Sequence, residues 1–359
     1  MIPQASIKIL AYFCVYPKDK GMSRVAVVIL NFNGLSFLQK FLPSVIANSK
    51  GAEVIVADNA SWDNSVDWLK QNYPAIKCLV NKQNNGFAGG YNWSLSQVRA
   101  DYYVLLNSDI EVPEGWINPL LDLMESDPNM AACQPKIRSY HHPEYFEYAG
   151  GSGGFIDKLG YPFCRGRIFE SLEPDKGQYD DVREVFWATG ACLFVRAKVF
   201  HELGGLDEDF FAHMEEIDFC WRAKNKGYKI MVQPQSVVYH VGGGTLPKNS
   251  PRKTYLNFRN NFMLLYKNLP ENRLWKVLIL RLFLDGLAGL KFLVEGHWKD
   301  MMAVIRAHLY FYRHLNKMKT KRGQLTQPES SMIYQKSLLA KHFIRKIDQF
   351  SQLNPSDFS

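Results

Sequence analysis

A doubly wound α/β domain with an α-helical appendage is the fold class the sequence predicts, and three observations predict it. Short apolar runs rich in β-branched residues alternate with segments of helical spacing. Each of these runs ends abruptly in polar residues. Past Leu246 the alternation stops and a long basic, aromatic and helical composition begins.

The first run, Arg24 to Leu30, leads into the polar loop Asn31-Phe32-Asn33-Gly34. Leu38, Phe41, Leu42, Val45 and Ile46 then mark one face of a helix over 35–48. Glu53 to Ala57 is a second strand ending in Asp58-Asn59-Ala60-Ser61, where Ser61 or Asp63 can cap the next helix. Ala75 to Val80 is a third strand, followed by a Gly-rich loop, Asn84 to Asn92, that opens a helix. Tyr102 to Leu106 reads as a strand buried on both faces. Right-handed crossovers align such strands in a mostly parallel, Rossmann-like sheet. Ligands of open α/β sheets sit outside the carboxyl ends of the strands. Asn31, Asn33, Asp58, Asn59, Asn107 and Asp109 are therefore candidates for a crevice.

Asp109 supplies a hard oxygen ligand suited to Mg²⁺ or Mn²⁺ on a diphosphate; Asn107-Ser108-Asp109 is equally good turn chemistry. Asp58 can accept from a base or ribose, or cap a helix. Glycines such as Gly86 let backbone amides approach a phosphate or sugar. The loop is not G-x-x-x-x-G-K-[ST], and it follows the third strand, which disfavours P-loop NTPases and dinucleotide dehydrogenases. The stretch from Ala131 to Asp181, rich in Gly, Pro, Tyr and His, reads as hairpins and mobile loops over the crevice. Trp187 is either core or a platform for a sugar ring, and Cys192 to Val195 is a strand.

A second acidic cluster spans Phe210 to Arg222. Asp218 and Arg222 fall at i and i+4, a structural pair. Glu215 and Glu216 remain, at the positive end of a helix, as general-base candidates or as a solvated helix start. Tyr228 to Gln233 and Ser236 to His240 are further strands. His240 stands beside Gly242-Gly243-Gly244, which can wrap an anion with backbone amides.

These stretches together resemble the family 2 glycosyltransferases of GT-A fold, in particular the rhamnosyltransferase-like branch. VVILNFNG, VIVADNASWDNS, NNGFAGGYN, LLNSDIEV, WATGACLFVR, FFAHMEEIDFCWR and HVGGGTL occur in the family's order over Arg24 to Leu246. The resemblance implies an inverting transfer of a sugar from a nucleotide-diphosphate donor to a hydroxyl of a glycan or lipid-linked acceptor in cell-surface polysaccharide synthesis. It implies donor contacts at Asn31, Asn33, Asp58, Asn84, Gly86, Asn107, Trp187 and Gly190. It implies a divalent metal, Mg²⁺ or Mn²⁺, on Asp109 and His240, and catalysis by Glu216 with Glu215 beside it. Two departures stand out: Asn107 replaces the first acid of the family's D-x-D, and Glu216 replaces a shorter Asp. A non-catalytic nucleotide-sugar or glycan-binding protein and a sugar-1-phosphate nucleotidyltransferase are the competing readings. Intact Asp109, Glu216 and His240 disfavour the first; the absence of a basic phosphate loop after the first strand disfavours the second.

The chain of 359 residues is 47% hydrophobic and carries a net charge of +8, which favours an acidic partner. No recognisable motif points to nucleic acid. The six scattered cysteines fit a reducing compartment, and so a cytoplasmic protein. Residues 1–23 read as a poorly ordered extension, or as lying upstream of a start at Met22; the apolar Ile7 to Tyr16 is too short to span a bilayer. Residues 24–246 form the catalytic domain and 247–359 a helical region. Lys253 to Asn268 is a basic-aromatic helix whose Arg259 and Asn260 can reach back to the site. Leu274 to Val294 carries Lys276, Arg281, Asp285 and Lys291, too charged for a spanning helix. It reads as an amphipathic helix on the inner face of the cell membrane, held by anionic lipid, or as a buried packing helix. Gln324 to Ser331 is a linker before a final basic helix.

Overall fold

Alternate residues of the first strands point into different cores, the signature of a sheet covered on both faces. Val25, Val27 and Ile29 join one cluster with Val56, Val104 and Leu106, whereas Ala26 and Val28 join another with Ile55, Ala57 and Leu105. The structure is a computed structural model that describes residues 24–242, 250–328 and 330–359. The N-terminal extension, with Met22, and the glycines Gly243 and Gly244 lie outside the described residues.

In chain order the first half comprises β1 (Val25–Asn31), α1 (Leu35–Asn48), β2 (Glu53–Asp58), α2 (Ser65–Asn72), β3 (Lys77–Val80), α3 (Gly86–Leu95), β4 (Tyr102–Asn107), β5 (Ile110–Glu111) and α4 (Ile117–Ser126). There follow β6 (Met130–Ser139), β7 (Gly154–Asp157), β8 (Pro162–Cys164), β9 (Arg167–Ile168), β10 (Ser171–Leu172), β11 (Arg183–Val185), β12 (Cys192–Arg196), α5 (Ala197–Glu202), α6 (Glu215–Asn225) and β13 (Lys229–His240). The C-terminal part holds α7 (Pro251–Asn268), α8 (Glu271–Val294), α9 (Trp298–Arg313), α10 (Leu315–Gly323) and β14 (Ile333–Tyr334).

The main sheet has the order β11-β13-β6-β12-β4-β1-β2-β3, with β5 on β13. Strands β4, β1, β2 and β3 are parallel, and β12 enters antiparallel between β4 and β6. Register sets the carboxyl ends in a row: Asn31 pairs with Asp58, Leu30 with Asn107, and Asp58 with Val80. A smaller sheet, β10-β9-β8-β7-β14, packs beside it. The contact is close because Gly154 has no side chain: a Cβ there would stand 2.0 Å from the Trp187 ring.

Four expectations change. Met130 to Ser139, read as part of a loop region, is a long strand of the main sheet with eight buried residues in succession. Pro135 and the polar Gln134 and Lys136 mask it, and burial is tolerated because Lys136 Nζ pairs with Asp175 at 2.9 Å. The two strands expected over 228–240 are one, β13, irregular between Gln233 and Val237 around Pro234. The residues after Ser331 do not form a basic helix. Tyr334 and Ile333 add β14 to the small sheet beside Asp157 and Ile156, and short helical turns follow at 340–344, 350–352 and 355–357. Finally, of the two readings of α8 the wholly buried packing helix is set aside: one face is buried, and the outward face is the apolar one.

Candidate active site

The polar ends of β1 and β2 are locked to each other by their own side chains. Asn31 Nδ2 donates to Asp58 Oδ2 at 2.9 Å, and Ser61 N donates to Asp58 Oδ1 at 2.9 Å. Asn33, with φ of +52°, donates its backbone N–H to Ser61 Oγ at 2.8 Å and accepts from Trp62 N at 2.9 Å. Asn31 is fully buried, and its Oδ1 has no hydrogen-bond partner. Asp58 is also buried, but each carboxylate oxygen keeps a lone pair.

Asn59, a polar strand end given no role of its own in the sequence reading, ties this corner to the Gly-rich loop. Its Nδ2 donates to Asn84 Oδ1 at 3.0 Å and to Gly86 O at 2.9 Å, while Asn84 Oδ1 also accepts from Gly86 N at 2.8 Å. Gly86 is the one residue type that fits: its φ is +70°, and a Cβ would lie 2.5 Å from Phe211.

At the end of β4, the backbone N–H of Asn107 donates to Ala191 O at 2.9 Å, and the next residue along, Gly190, lies against Phe87 and Glu216. Asp109 meets His240 from the end of β13: Nε2 is 3.1 Å from Asp109 Oδ1 and 3.4 Å from Asn107 Nδ2. The other imidazole nitrogen is 3.3 Å from Glu147 Oε1. Glu147 was missed because nothing local marks it out from Glu144 in PEYFEYAGG; only the fold brings it to His240. Burial alone would lower the His240 pKa, but Glu147 and Asp109 outweigh it and raise it to about 10. Burial would raise Asp109, and the imidazolium reverses this and holds it below the ordinary carboxylate value. The ionised Asp109 carboxylate suits a hard divalent cation whose other ligands are phosphate oxygens and water, whereas His240 could join it only after losing the proton that Glu147 and Asp109 hold on its ring. Among the described residues no cluster of three or more His, Cys, Asp or Glu would hold a metal without such help.

The second acidic cluster follows a loop under strain. Phe211, His213 and Met214 have φ of 63°, 70° and 72°, the left-handed region that non-glycine residues avoid. The loop is held from two sides. Phe87 N donates to Phe211 O at 2.7 Å. From α7, Asn260 Nδ2 contacts the carbonyls of Phe210, Ala212 and His213 at 2.9, 2.8 and 2.7 Å, and Arg259 donates to Asp209 O and Phe210 O. Asp218 is paired with Arg222 at 2.8 Å, as its spacing predicts, and with Lys267 at 2.8 Å. Glu215 and Glu216 have no such partners. An oxygen of each, and Nε2 of His213, are buried without a hydrogen bond. Burial raises the Glu216 pKa to about 7. Burial and then the neighbouring Glu216 push Glu215 well up. Burial, aided by Lys253, lowers His213 to about 4, leaving it neutral. The arrangement can hold an anionic leaving group at one end and accept a proton near neutral pH at the other.

Trp187 is not a sugar platform. It is core, and its Nε1–H donates to Phe155 O at 2.9 Å. An aromatic that is available is Trp62, 79% exposed beside Asp58 and edge-on to Phe32 at 5.0 Å.

The model of the family described as Glycosyl transferase family 2 matches residues 26–204. An N-acetylglucosaminyl-diphospho-decaprenol L-rhamnosyltransferase of Mycobacterium tuberculosis (strain CDC 1551 / Oshkosh) is 28% identical over 60% of this chain and 75% of its own length. The low-salt glycan biosynthesis hexosyltransferase Agl10 of Haloferax volcanii is 25% identical over 70% of this chain and 80% of its own. The crystal structure of GalNAc-T7 with UDP, GalNAc and Mn²⁺ superposes with a TM-score of 0.53 at 18% identity, covering 70% of this chain. This chain spans about half of that protein, and the likeness is one of fold.

Proposed function

We propose, from the premise that this chain belongs to glycosyl transferase family 2, that it is an inverting, metal-dependent glycosyltransferase that uses Glu216 as its base. Its donor is a nucleotide-diphosphate sugar, and its acceptor a hydroxyl of a glycan or lipid-linked glycan in cell-surface polysaccharide synthesis. The observation that carries the reading is Glu216: a half-buried carboxylate with one enclosed, unpartnered oxygen and a pKa of about 7, against the backbone of Gly190. Unpartnered buried oxygens are costly, and a pKa near working pH is what a general base needs.

Asp58, Asn33, Asn84 and Gly86 line the donor corner, with Asn31 and Asn59 orienting them. Asp109 would hold Mg²⁺ or Mn²⁺, with Asn107 alongside and His240 joining as the neutral imidazole once its proton is displaced. A divalent cation there neutralises charge on the departing nucleoside diphosphate. Glu216 takes the proton of the acceptor hydroxyl as its oxygen bonds to the anomeric carbon. The bond from that carbon to the diphosphate oxygen breaks in the same displacement, so configuration inverts. Burial and the neighbouring Glu216 push the Glu215 pKa well up, which disfavours the carboxylate that a covalent nucleophile needs.

The reading is tested with a panel of UDP-, dTDP- and GDP-sugars and acceptor glycans. The proton NMR anomeric coupling of the product is expected to show inversion. Retention, or turnover undiminished in Glu216→Gln, would exclude Glu216 as the base of a single displacement.

A further inference from the structure

Helix α8 is built inside out. Its buried positions, Leu274, Val277, Leu278, Arg281, Asp285 and Gly289, recur at helical spacing and include both central charges. Arg281 donates to Leu159 O at 2.9 Å and contacts Asp285 Oδ1 at 3.3 Å, while Asp285 Oδ2 meets His308 of α9 at 3.2 Å. The opposite stripe is apolar and exposed: Ile279, Phe283, Leu287, Leu290 and Val294, with Ile279, Phe283 and Val294 more than 60% exposed. A helix in water shows the reverse polarity. The three residues Glu295–His297 turn the chain into α9, which packs on α8 and carries its own exposed stripe of Trp298, Ile305, Leu309 and Tyr312. An exposed apolar surface over two adjoining helices marks an interaction site.

Charge and aromatic placement identify the occupant. Exposed Lys276, Lys291, Lys299, Arg306 and Arg313 flank the two stripes, against the exposed acids Glu271 and Glu295. Of those acids, Glu271 is paired with Arg322 and Glu295 with Lys291. Trp298 stands at the tip of the hairpin with Lys299 beside its ring. Apolar stripes edged by lysine, arginine and tryptophan match the boundary between headgroups and acyl chains, where basic side chains reach anionic headgroups. Among the described residues no helix is long and apolar enough to cross a membrane. A protein partner would not require basic residues along both edges.

We propose that the α8–α9 hairpin docks this protein on an anionic phospholipid surface, lying in the plane of the interface with the Ile279–Val294 and Trp298–Tyr312 stripes turned toward the acyl chains. The surface is separate from the Glu216 site, so the proposal stands whether or not the donor chemistry above is right.

The test is flotation of the full chain with phosphatidylcholine vesicles, alone or mixed with phosphatidylglycerol. It compares wild type, an Ile279→Ser/Phe283→Ser variant and a Lys299→Glu/Arg306→Glu variant, with circular dichroism melting as the fold control. Wild type is expected to float with the anionic vesicles and to detach at high salt. Both variants should melt like wild type and bind about tenfold less. Several results would overturn the proposal. One is failure of wild type to float. Another is flotation of the serine variant equal to wild type. A third is a concentration-dependent dimer that the serine variant abolishes, which would assign the face to a second copy. If deletion of residues 1–23 were needed before the chain floats, that segment and not lipid would cover the face.

Discussion

Glu216 is where the local chemistry concentrates, and two outcomes follow from its burial. As a base it works deprotonated, so with a pKa near 7 the rate at limiting substrate should fall about tenfold per pH unit below neutrality and level off above it. A flat profile from pH 5 to 8 would exclude it. The sign for stability is opposite. A carboxyl raised in the folded state contributes full stability below its ordinary range and loses it as pH rises through the raised value. Glu216→Gln, neutral throughout, should therefore melt higher than wild type at pH 8 and show little difference near pH 4. Gly86→Ala places a methyl 2.5 Å from Phe211 in a left-handed conformation, and should cost roughly 1–3 kcal/mol in thermal unfolding while disturbing the loop before Glu216. At this scale the sequence showed residues whose chemistry is marked by neighbours in the chain: Asp58, Asp109, and the Glu215-Glu216 pair after an aromatic run. The roles of Glu147 and Asn59 were not legible. Each acts only across long sequence separations, on His240 and on Asn84, and an acid or amide carries no local sign of that. Trp187 was ambiguous because burial, not composition, decides between core and platform.

At the scale of elements, the helical region holds the loop that leads to the proposed base. Asn260 holds three carbonyls of the strained 210–213 loop, and Lys267 and Lys321 pair with Asp207 just before it. Those lysines hold Asp207 well below the ordinary carboxylate range against its burial. Removing the Asn260 amide leaves carbonyls unpaired at about 1–3 kcal/mol. Asn260→Ala is expected to lower kcat more than tenfold with a smaller change in donor KM, since the donor corner is built on β1 to β3. Equal effects on both, measured by initial rates, would mean that α7 only supports the fold. The expectation that Arg259 and Asn260 reach the site came from their basic-aromatic helix. That they grip a loop backbone required the structure, because a main-chain acceptor leaves no trace in composition. Elements with a clean period were readable almost to the residue, as α1 and β2 show. Strand β6 was not, because Pro135 and Lys136 break its pattern and only pairing with Asp175 and Asp180 makes that lysine compatible with the interior.

Over the whole molecule, the chain past the helices returns to the catalytic half and does not hang from it. Strand β14 lies beside β7, Leu338 N donates to the buried Asp157 at 2.8 Å, and Phe350 N donates to Glu173 at 2.7 Å. Phe350 and Phe358 close an aromatic cluster with Phe155 and Phe163. A chain ending at residue 328 should therefore melt several degrees lower, because the small sheet loses both an edge strand and the cover of its apolar side. An unchanged melting temperature would make the tail dispensable. The helices α7 to α10 were legible from the change in composition after Leu246. The return of the tail was not, since Ile333-Tyr334 is too short to announce a strand and finds its partner 177 residues away. The most direct test of the central claim is release of nucleoside diphosphate from a panel of nucleotide-sugars with acceptor glycans and Mn²⁺, comparing wild type, Asp109→Ala and Glu216→Gln. The account requires metal-dependent turnover by wild type, weakened donor binding in Asp109→Ala, and donor binding kept with turnover down about 10²–10⁴-fold in Glu216→Gln. Failure of the wild-type protein to bind any nucleotide-sugar, or full turnover by Glu216→Gln, would contradict it.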